Sequence, residues 1–260
     1  MKAIKATLPP DLNEIEIHIF ADLHIGDRFC DMNSIKERIN YVRDHKKAYA
    51  ILNGDIINNA TKTSVSDCYA EELSPAEQLD KFVELFEPIK DKILALTSGN
   101  HENRTYTKEG IDITRLCARQ LGIEDNYSKT GAVLFVRLGT SRKTPKKDLR
   151  QVCYSIYLNH GSGGGRKEGA KTIRLADMAS IVDADIYVHS HTHLPMIMKE
   201  RYYRTTWIKS SITPIDRLFV NTSASLNYGG YGEAYEFKPS STECPIIYLS
   251  GTEKKYWAKL

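Results

Sequence analysis

Apolar and polar residues alternate from Glu14 to Ile19, with Ile15, Ile17 and Ile19 on one side and Glu14, Glu16 and His18 on the other, the period of a strand. That strand runs straight into Asp22 and His24. Ser34-Ile35-Lys36-Glu37 reads as a capping box, and Ile35, Ile39 and Val42 share one face of the helix it starts. A second strand, Tyr49 to Leu52, leads to Gly54-Asp55. Ser74-Pro75-Ala76-Glu77 repeats the start signal with proline at the first helical position. Leu79, Phe82, Val83 and Phe86 supply the apolar stripe, and Pro88 is expected to stop the helix. The third strand, Ile93 to Leu96, reaches Gly99-Asn100-His101-Glu102. This βαβαβ order predicts a parallel sheet, whose functional groups collect at the carboxyl ends of its strands.

A third helix carries Ile113, Leu116, Cys117 and Leu121 and ends at Gly122. The texture then changes. Ala132 to Leu138 and Val152 to Leu158 read as a hairpin around the polar tip Ser141 to Asp148, and its second strand ends at Asn159-His160. A short helix near 169–180 precedes a strand from Asp185 to His189, and Met196 to Tyr202, Leu218 to Asn221 and Ile246 to Leu249 are expected strands. No repeat or low-complexity tract appears. One domain over 1–260 is the expectation, with irregular loops near 59–73 and 227–242 that could lie over a site.

Composition changes this picture little. With 36 Lys+Arg against 33 Asp+Glu the net charge is +3, so any basic surface must be argued locally. The five cysteines form no CxxC pair, which suits reduced packing residues in a cytoplasmic protein better than a disulfide frame. No stretch approaches the ~20 apolar residues of a membrane span, and the first ten residues do not read as a secretion signal. A cytoplasmic location without membrane contact is expected.

The chemistry lies in the histidines. Of eight, six (His24, His101, His160, His189, His191 and His193) fall at expected strand ends on one edge. His18 and His45 do not, and read as structural or surface residues. Carboxylate, amide oxygen and imidazole suit hard to borderline divalent ions, and paired ions of this kind are the usual apparatus for attacking a phosphate ester. Two cations ~3.5–4 Å apart need a bridging ligand, for which Asp55 after the small Gly54 is the candidate. A Gly-Asp or Gly-Asn alone is usually a turn, so Asp55 and Asn100 gain weight only from the ordered set. Asp22 and His24, two apart, can meet one ion if the backbone turns there. His189 lies deeper in an apolar strand and reads as a buried, hydrogen-bonded histidine in preference to a ligand.

The ordered motifs Asp22-Leu23-His24, Gly54-Asp55, Gly99-Asn100-His101-Glu102, His160 and Ser190-His191-Thr192-His193 resemble those of the calcineurin-like metallophosphoesterase superfamily over about Ile17 to Leu194. The resemblance implies an α/β fold, a four-layer α/β/β/α sandwich of two mixed sheets. It implies two divalent metal ions, with Mn²⁺ favoured over Fe, Zn or Mg. Asp22, His24, Asp55 and His193 would hold one ion, and Asp55, Asn100, His160 and His191 the other. His101 resembles the family's catalytic histidine, which protonates the leaving oxygen or meets its developing charge, and a hydroxide bridging the ions would be the in-line nucleophile. Ser190 stands where the last motif usually has glycine.

The family's protein phosphatases extend the second motif with an aspartate and an arginine that clamps a terminal phosphate; the matching positions here are Asn58 and Asn59. The pattern therefore looks more like that of a phosphodiesterase acting on a nucleotide or nucleic acid, with a phosphomonoesterase and an inactive binding scaffold as alternatives. Arg104 could supply a replacement clamp, or be a loop cation. Arg166, in Gly161-Ser162-Gly163-Gly164-Gly165-Arg166-Lys167, could add phosphate contact with Lys167, Lys171 and Arg174, or the glycines could be a flexible connection. The basic tip with Arg142, Lys143, Lys146, Lys147 and Arg150 reads as a solvated hairpin. Lys199, Arg201, Tyr202, Tyr203, Arg204 and Trp207 fit either single-stranded nucleic acid or an ordinary strand with one buried face.

Overall fold

The computed structural model describes all residues except 63, 65, 66, 141–150 and 164, and only the backbone of 231. The basic hairpin tip thus lies outside the described residues. One sheet has the order β12-β11-β2-β3-β4-β5 and the other β1-β6-β7-β8-β10-β9. The first comprises β2 (Glu14–Phe20), β3 (Ala48–Asn53), β4 (Ile93–Thr97), β5 (Tyr127–Ser128), β11 (Ile246–Ser250) and β12 (Tyr256–Lys259). The second comprises β1 (Lys2–Thr7), β6 (Ala132–Leu138), β7 (Val152–Asn159), β8 (Ile186–His189), β9 (Met196–Thr206) and β10 (Ser211–Asn221).

Ile15, Ile17 and Ile19 point between the sheets and pack with Leu134, Val136, Tyr154 and Ile156, all buried. The other face of the first sheet, with Phe20, Ala50 and Leu52, is covered by α1 (Met32–Asp44), α2 (Pro75–Phe86) and α4 (Ile113–Gln120) through Ile35, Ile39, Phe82, Phe86 and Cys117. The outer face of the second, with Tyr157, Tyr187 and Phe219, is covered by α5 (Glu168–Asp177) through Leu175 and by Met178 beyond it. The layers are therefore α/β/β/α, as the motifs implied. Both β3 and β4 are buried on both faces, so their ends are held from two sides.

Several local readings need correction. The first helix begins at Met32 with Asp31 as its cap, accepting from the Ser34 N–H at 3.0 Å, so Ser34 is inside the first turn and forms no capping box. The box at Ser74 is present, but Pro88 does not end helicity: a 3₁₀ turn continues from Glu87 to Lys92. The hairpin β9–β10 reaches well past its expected bounds, and the 227–242 segment holds a short helix, α6 (Gly230–Ala234). Helix α3 (Asn100–Glu109) escapes apolar periodicity because its one buried residue is Glu102. All five cysteines are free thiols, but only Cys117 is buried and Cys153 is exposed, so packing does not account for all of them. Among the described residues no helix is long and apolar enough to cross a membrane.

Candidate metal centre

Every donor of the ordered motifs follows the carboxyl end of a strand. Asp22 and His24 follow β2, Asp55 follows β3, Asn100 opens α3 after β4, His160 follows β7, and His191 and His193 follow β8. The two sheets meet at this edge, so residues from three strands of one and two of the other converge.

The backbone is bent to bring them together. Asp22, His24, Asp55, His191 and His193 have φ of 51°, 50°, 49°, 65° and 52°, in the left-handed region that a residue with a Cβ enters at a cost. In Asp22-x-His24 this turn lets side chains two apart aim at one point, and in His191-x-His193 it sends His191 to the Asp55 and His160 donors and His193 to the Asp22 and His24 donors. The strain is of order 1–3 kcal/mol per residue and persists because the surrounding structure over-determines it. Glycine is needed at Gly99 for space: a Cβ there would lie 2.1 Å from Asp55 Oδ1.

Three groups of donor atoms form at this edge: Asp22, His24 and His193; His24, Asp55 and His101; and Asp55, His160 and His191. Asp55 Oδ2 lies 3.1 Å from His160 Nε2, whose other short neighbour is Asn100 Oδ1 at 3.2 Å. His193 Nε2 lies 3.2 Å from Asp22 Oδ1. The arrangement brings together all seven expected ligands and His101, with Asp55 at the junction of two groups.

The rings are oriented by what binds their outer nitrogens. His160 Nδ1–H donates to the Asn53 carbonyl at 2.7 Å, and His24 Nδ1–H to Asn58 Oδ1 at 3.2 Å, so both present Nε2 inward. His24 Nε2 is buried with no hydrogen-bond partner among the described residues. A buried lone pair left unsatisfied is costly, and a cation held with Asp22, Asp55 and His193 would satisfy it. The donor set therefore fits divalent metal.

Charges agree with this. Burial holds the His24 and His191 rings below the usual histidine range, His191 at about 4, so both present neutral lone pairs. Asp22 and Asp55 stay low despite burial, because His193 and His160 respectively lie beside them. Burial opposes a proton on His160, but the carboxylates of Asp55 and Asp22 outweigh it and push the ring up to about 10. Without a cation, a proton thus occupies the Nε2 that a cation requires. Because that proton is bound below about pH 10, lowering pH strengthens the competitor and weakens metal binding. Apparent Mn²⁺ affinity should rise by up to about tenfold per pH unit between pH 6.5 and 8.5, with proton release in unbuffered titration. An affinity flat across that range would contradict the assignment of His160.

Several residues that hold this site are given no role in the motif reading. Glu102 is buried, and its two oxygens accept from four backbone N–H groups: Gly99 at 2.8 Å, Asp55 at 3.1 Å, Ile56 at 2.6 Å and Ile57 at 3.2 Å. Burial and the Asp55 charge push it up to about 7, the N–H groups of Gly99 and Ile57 opposing. Four donors facing two oxygens leave no acceptor for a carboxyl proton, so the carboxylate is the form this cradle accommodates. Asn53 donates to Ser190 Oγ at 2.7 Å and accepts from Thr97, joining the two sheets beneath the site. Ser190, in the glycine position of the last motif, is thereby employed. The Asp22 carboxylate accepts the His191 N–H and the Thr222 hydroxyl. A Gly-x-x-Glu cap was the available signal for Glu102; the asparagines had none.

His189 is buried and bonded to Asn221 Oδ1 at 2.8 Å. His101 donates from Nδ1 to the Asn58 carbonyl at 2.6 Å, and its Nε2 lies 3.8 Å from Asp55 Oδ2. Arg104 reaches the site and Arg166 does not: Arg166 lies over the Phe237 ring at 5.3 Å, with no hydrogen bond or ion pair to the donor set among the described residues. The aromatic and basic stretch of β9 leads away from the metal edge. Met196 pairs with Asn221 beside His189, while Thr206 pairs with Ser211 at the far end, where Trp207 is almost wholly exposed.

A two-sheet α/β/β/α frame carries at one edge a donor set that could hold divalent metal. The family model of the calcineurin-like phosphoesterases matches residues 15–195, and the chain belongs to that family. Its members use divalent metal ions. Among solved structures, a predicted phosphoesterase of Streptococcus pneumoniae is 14% identical over 95% of this chain and 99% of its own, with a TM-score of 0.37. A metallophosphoesterase of Sphaerobacter thermophilus is 12% identical over 93% and 90%, at 0.40. The nuclease MPE of Pseudomonas putida is 14% identical over 94% and 87%, at 0.36. No curated protein matches the chain.

Proposed function

We propose that the chain is a metal-dependent phosphodiesterase acting on a nucleotide or nucleic-acid backbone, with two divalent ions, Mn²⁺ in preference to Fe, Zn or Mg. The observation that carries this reading is a pair of donor groups sharing Asp55, beside which no cationic side chain stands in the terminal-phosphate position. Asn59 occupies that position. It is buried, and its amide is committed to the His101 carbonyl at 2.7 Å and to Thr105 Oγ1 at 2.9 Å. At that position a neutral, engaged amide cannot serve as the bidentate cation that a dianionic monoester favours, and the guanidinium of Arg104 lies instead beside His101, bonded to its Nε2.

Asp22, His24, Asp55 and His193 would hold one ion, and Asp55, Asn100, His160 and His191 the other. Bound there, the ions would supply an activated water and positive charge for the phosphoryl oxygens. Asp55 keeps the two groups at a fixed separation, the neutral rings of His24 and His191 present lone pairs without adding charge, and His101 stands at the margin, where a leaving oxygen can be met. Such groups act by position, each oriented before substrate arrives.

Bis-p-nitrophenyl phosphate compared with p-nitrophenyl phosphate, each with and without Mn²⁺, tests the proposal. The diester is expected to turn over at least tenfold faster in kcat/KM and only with metal, a difference of about 1.4 kcal/mol or more in barrier. Turnover of the monoester alone would reverse the reading, and metal-independent silence on both would indicate a scaffold. Single-stranded DNA, double-stranded DNA, RNA and cyclic nucleotides then define the substrate.

A further inference from the structure

Arg104 stands one helical turn beyond His101 on α3, so the two side chains share a face. Its Nη1 donates to the Asn58 carbonyl at 3.2 Å and its Nη2 to His101 Nε2 at 3.0 Å. These partners define the ring. The Asn58 carbonyl can only accept, so His101 Nδ1 carries the proton; the guanidinium can only donate, so Nε2 offers its lone pair. In this arrangement His101 cannot hand a proton to a leaving oxygen, because the nitrogen that would do so is engaged as an acceptor.

The guanidinium itself is incompletely matched. It is half-buried, and among the described residues it bonds only to a neutral ring and a carbonyl, while the carboxylates of Asp55, Glu102 and Glu71 act on its charge without touching it as ion pairs. A cation partly removed from water favours an anionic partner, and its planar fork matches two oxygens of a phosphate. The donors around Asp55 show where that phosphate would lie, since His101 Nε2 is 3.8 Å from Asp55 Oδ2 on one side and bonded to Arg104 on the other.

We propose that Arg104 is the phosphate clamp of this chain, and that the same guanidinium holds His101 Nε2 out of use until a phosphate draws it away. The inference rests on the phosphodiesterase reading of the centre. A phosphate offers the guanidinium two anionic oxygens in matching fork geometry, whereas the ring and the carbonyl are neutral acceptors, so phosphate competes with the ring for the guanidinium. Release of Nε2 then coincides with substrate binding, and a proton taken up there from solvent is the one a leaving oxygen would receive, Nδ1 keeping its own on the Asn58 carbonyl. A single fork also suits a diester, whose one negative charge is shared by two non-bridging oxygens.

The test uses the full chain loaded with Zn²⁺, its metal content measured, and inorganic phosphate as the probe. By calorimetric titration, Arg104→Gln is expected to weaken phosphate about tenfold or more while metal content and Tm hold, with Arg104→Lys intermediate. The ¹⁵N signal of His101 Nε2 is expected to shift when phosphate is added to the native protein, and to lie near the shifted position already in Arg104→Gln. If Arg104→Gln fails to fold, the Lys variant decides by the same two readouts. Phosphate affinity and a His101 signal unchanged from the native protein in the variants would overturn the inference while leaving the phosphodiesterase reading intact. A native zinc-loaded protein that neither binds phosphate nor cleaves the diester would remove both.

Discussion

Asp55→Asn is expected to lower metal-dependent diester turnover by about a thousandfold or more, with bound metal falling below two ions per chain. Metal polarisation of a phosphoryl oxygen contributes several kcal/mol, and each 1.36 kcal/mol is about tenfold in rate. Asp55 is the one side chain common to the group with His24 and the group with His160 and His191, so its loss acts on both positions. Asparagine keeps the shape but halves the acceptor capacity and turns an N–H₂ toward His160, whose Nε2 lies 3.1 Å from Oδ2 in the native protein. The variant also loses the charge that holds His160 protonated without metal, so proton release on metal addition should shrink with turnover. Metal content by mass spectrometry and bis-p-nitrophenyl phosphate kinetics give the answer. Native rates with two bound ions would remove Asp55 from the bridging position.

Glu102→Ala is expected to have the second largest effect, and on stability as well as turnover. Four buried backbone N–H groups, on two loops that each carry expected ligands, lose their acceptor together. An unmade buried hydrogen bond costs about 1–3 kcal/mol, and water entering the space recovers part of it, so a loss of about 3–5 kcal/mol is reasonable. For a chain of this size that corresponds to a fall of roughly 10 °C in Tm. Glu102→Gln should fall between, since one oxygen is retained while the amide N–H₂ faces other donors. Metal affinity should drop in both variants, because the Asp55 N–H is one of the four and the His101 N–H binds Asp55 Oδ1 at 2.9 Å from the same turn. A Tm within 2 °C of native for the alanine variant, by calorimetry, would show that Glu102 does not clasp the loops in solution (about 1 kcal/mol or less).

What was legible in the chain, and what was not, divides by the range of the interaction concerned. The strands ending at Asp22, Asp55, Asn100, His160 and His191 were readable because a buried strand needs an apolar run and its end needs a turn. The first helix was misplaced by three residues because Asp31 and Ser34 are both good caps, and which one accepts depends on the approach of the chain from Ser225, whose carbonyl binds the Asp31 N–H. The polar helix α3 was invisible to periodicity, since it buries a carboxylate where a stripe would show leucine. β1 and β12 stand at sheet edges with half-exposed faces, and their alternation is weak.

Sequence by itself determined the residue types, their order, and their delivery to the carboxyl ends of strands, because local periodicity and turn chemistry set where each strand stops. Tertiary structure decided which of those ends share a pocket and which nitrogen each ring presents. Asn53 reaching Ser190, Asp22 accepting the His191 N–H and Glu102 gathering two loops are contacts between residues 45 to 169 positions apart, except for the Gly99 bond within the cap. Such contacts leave no periodic trace, since a hydrogen bond across a fold requires only that both chains arrive. Arg104 and Arg166 were both candidate phosphate contacts in the chain; packing put one against His101 and the other over Phe237.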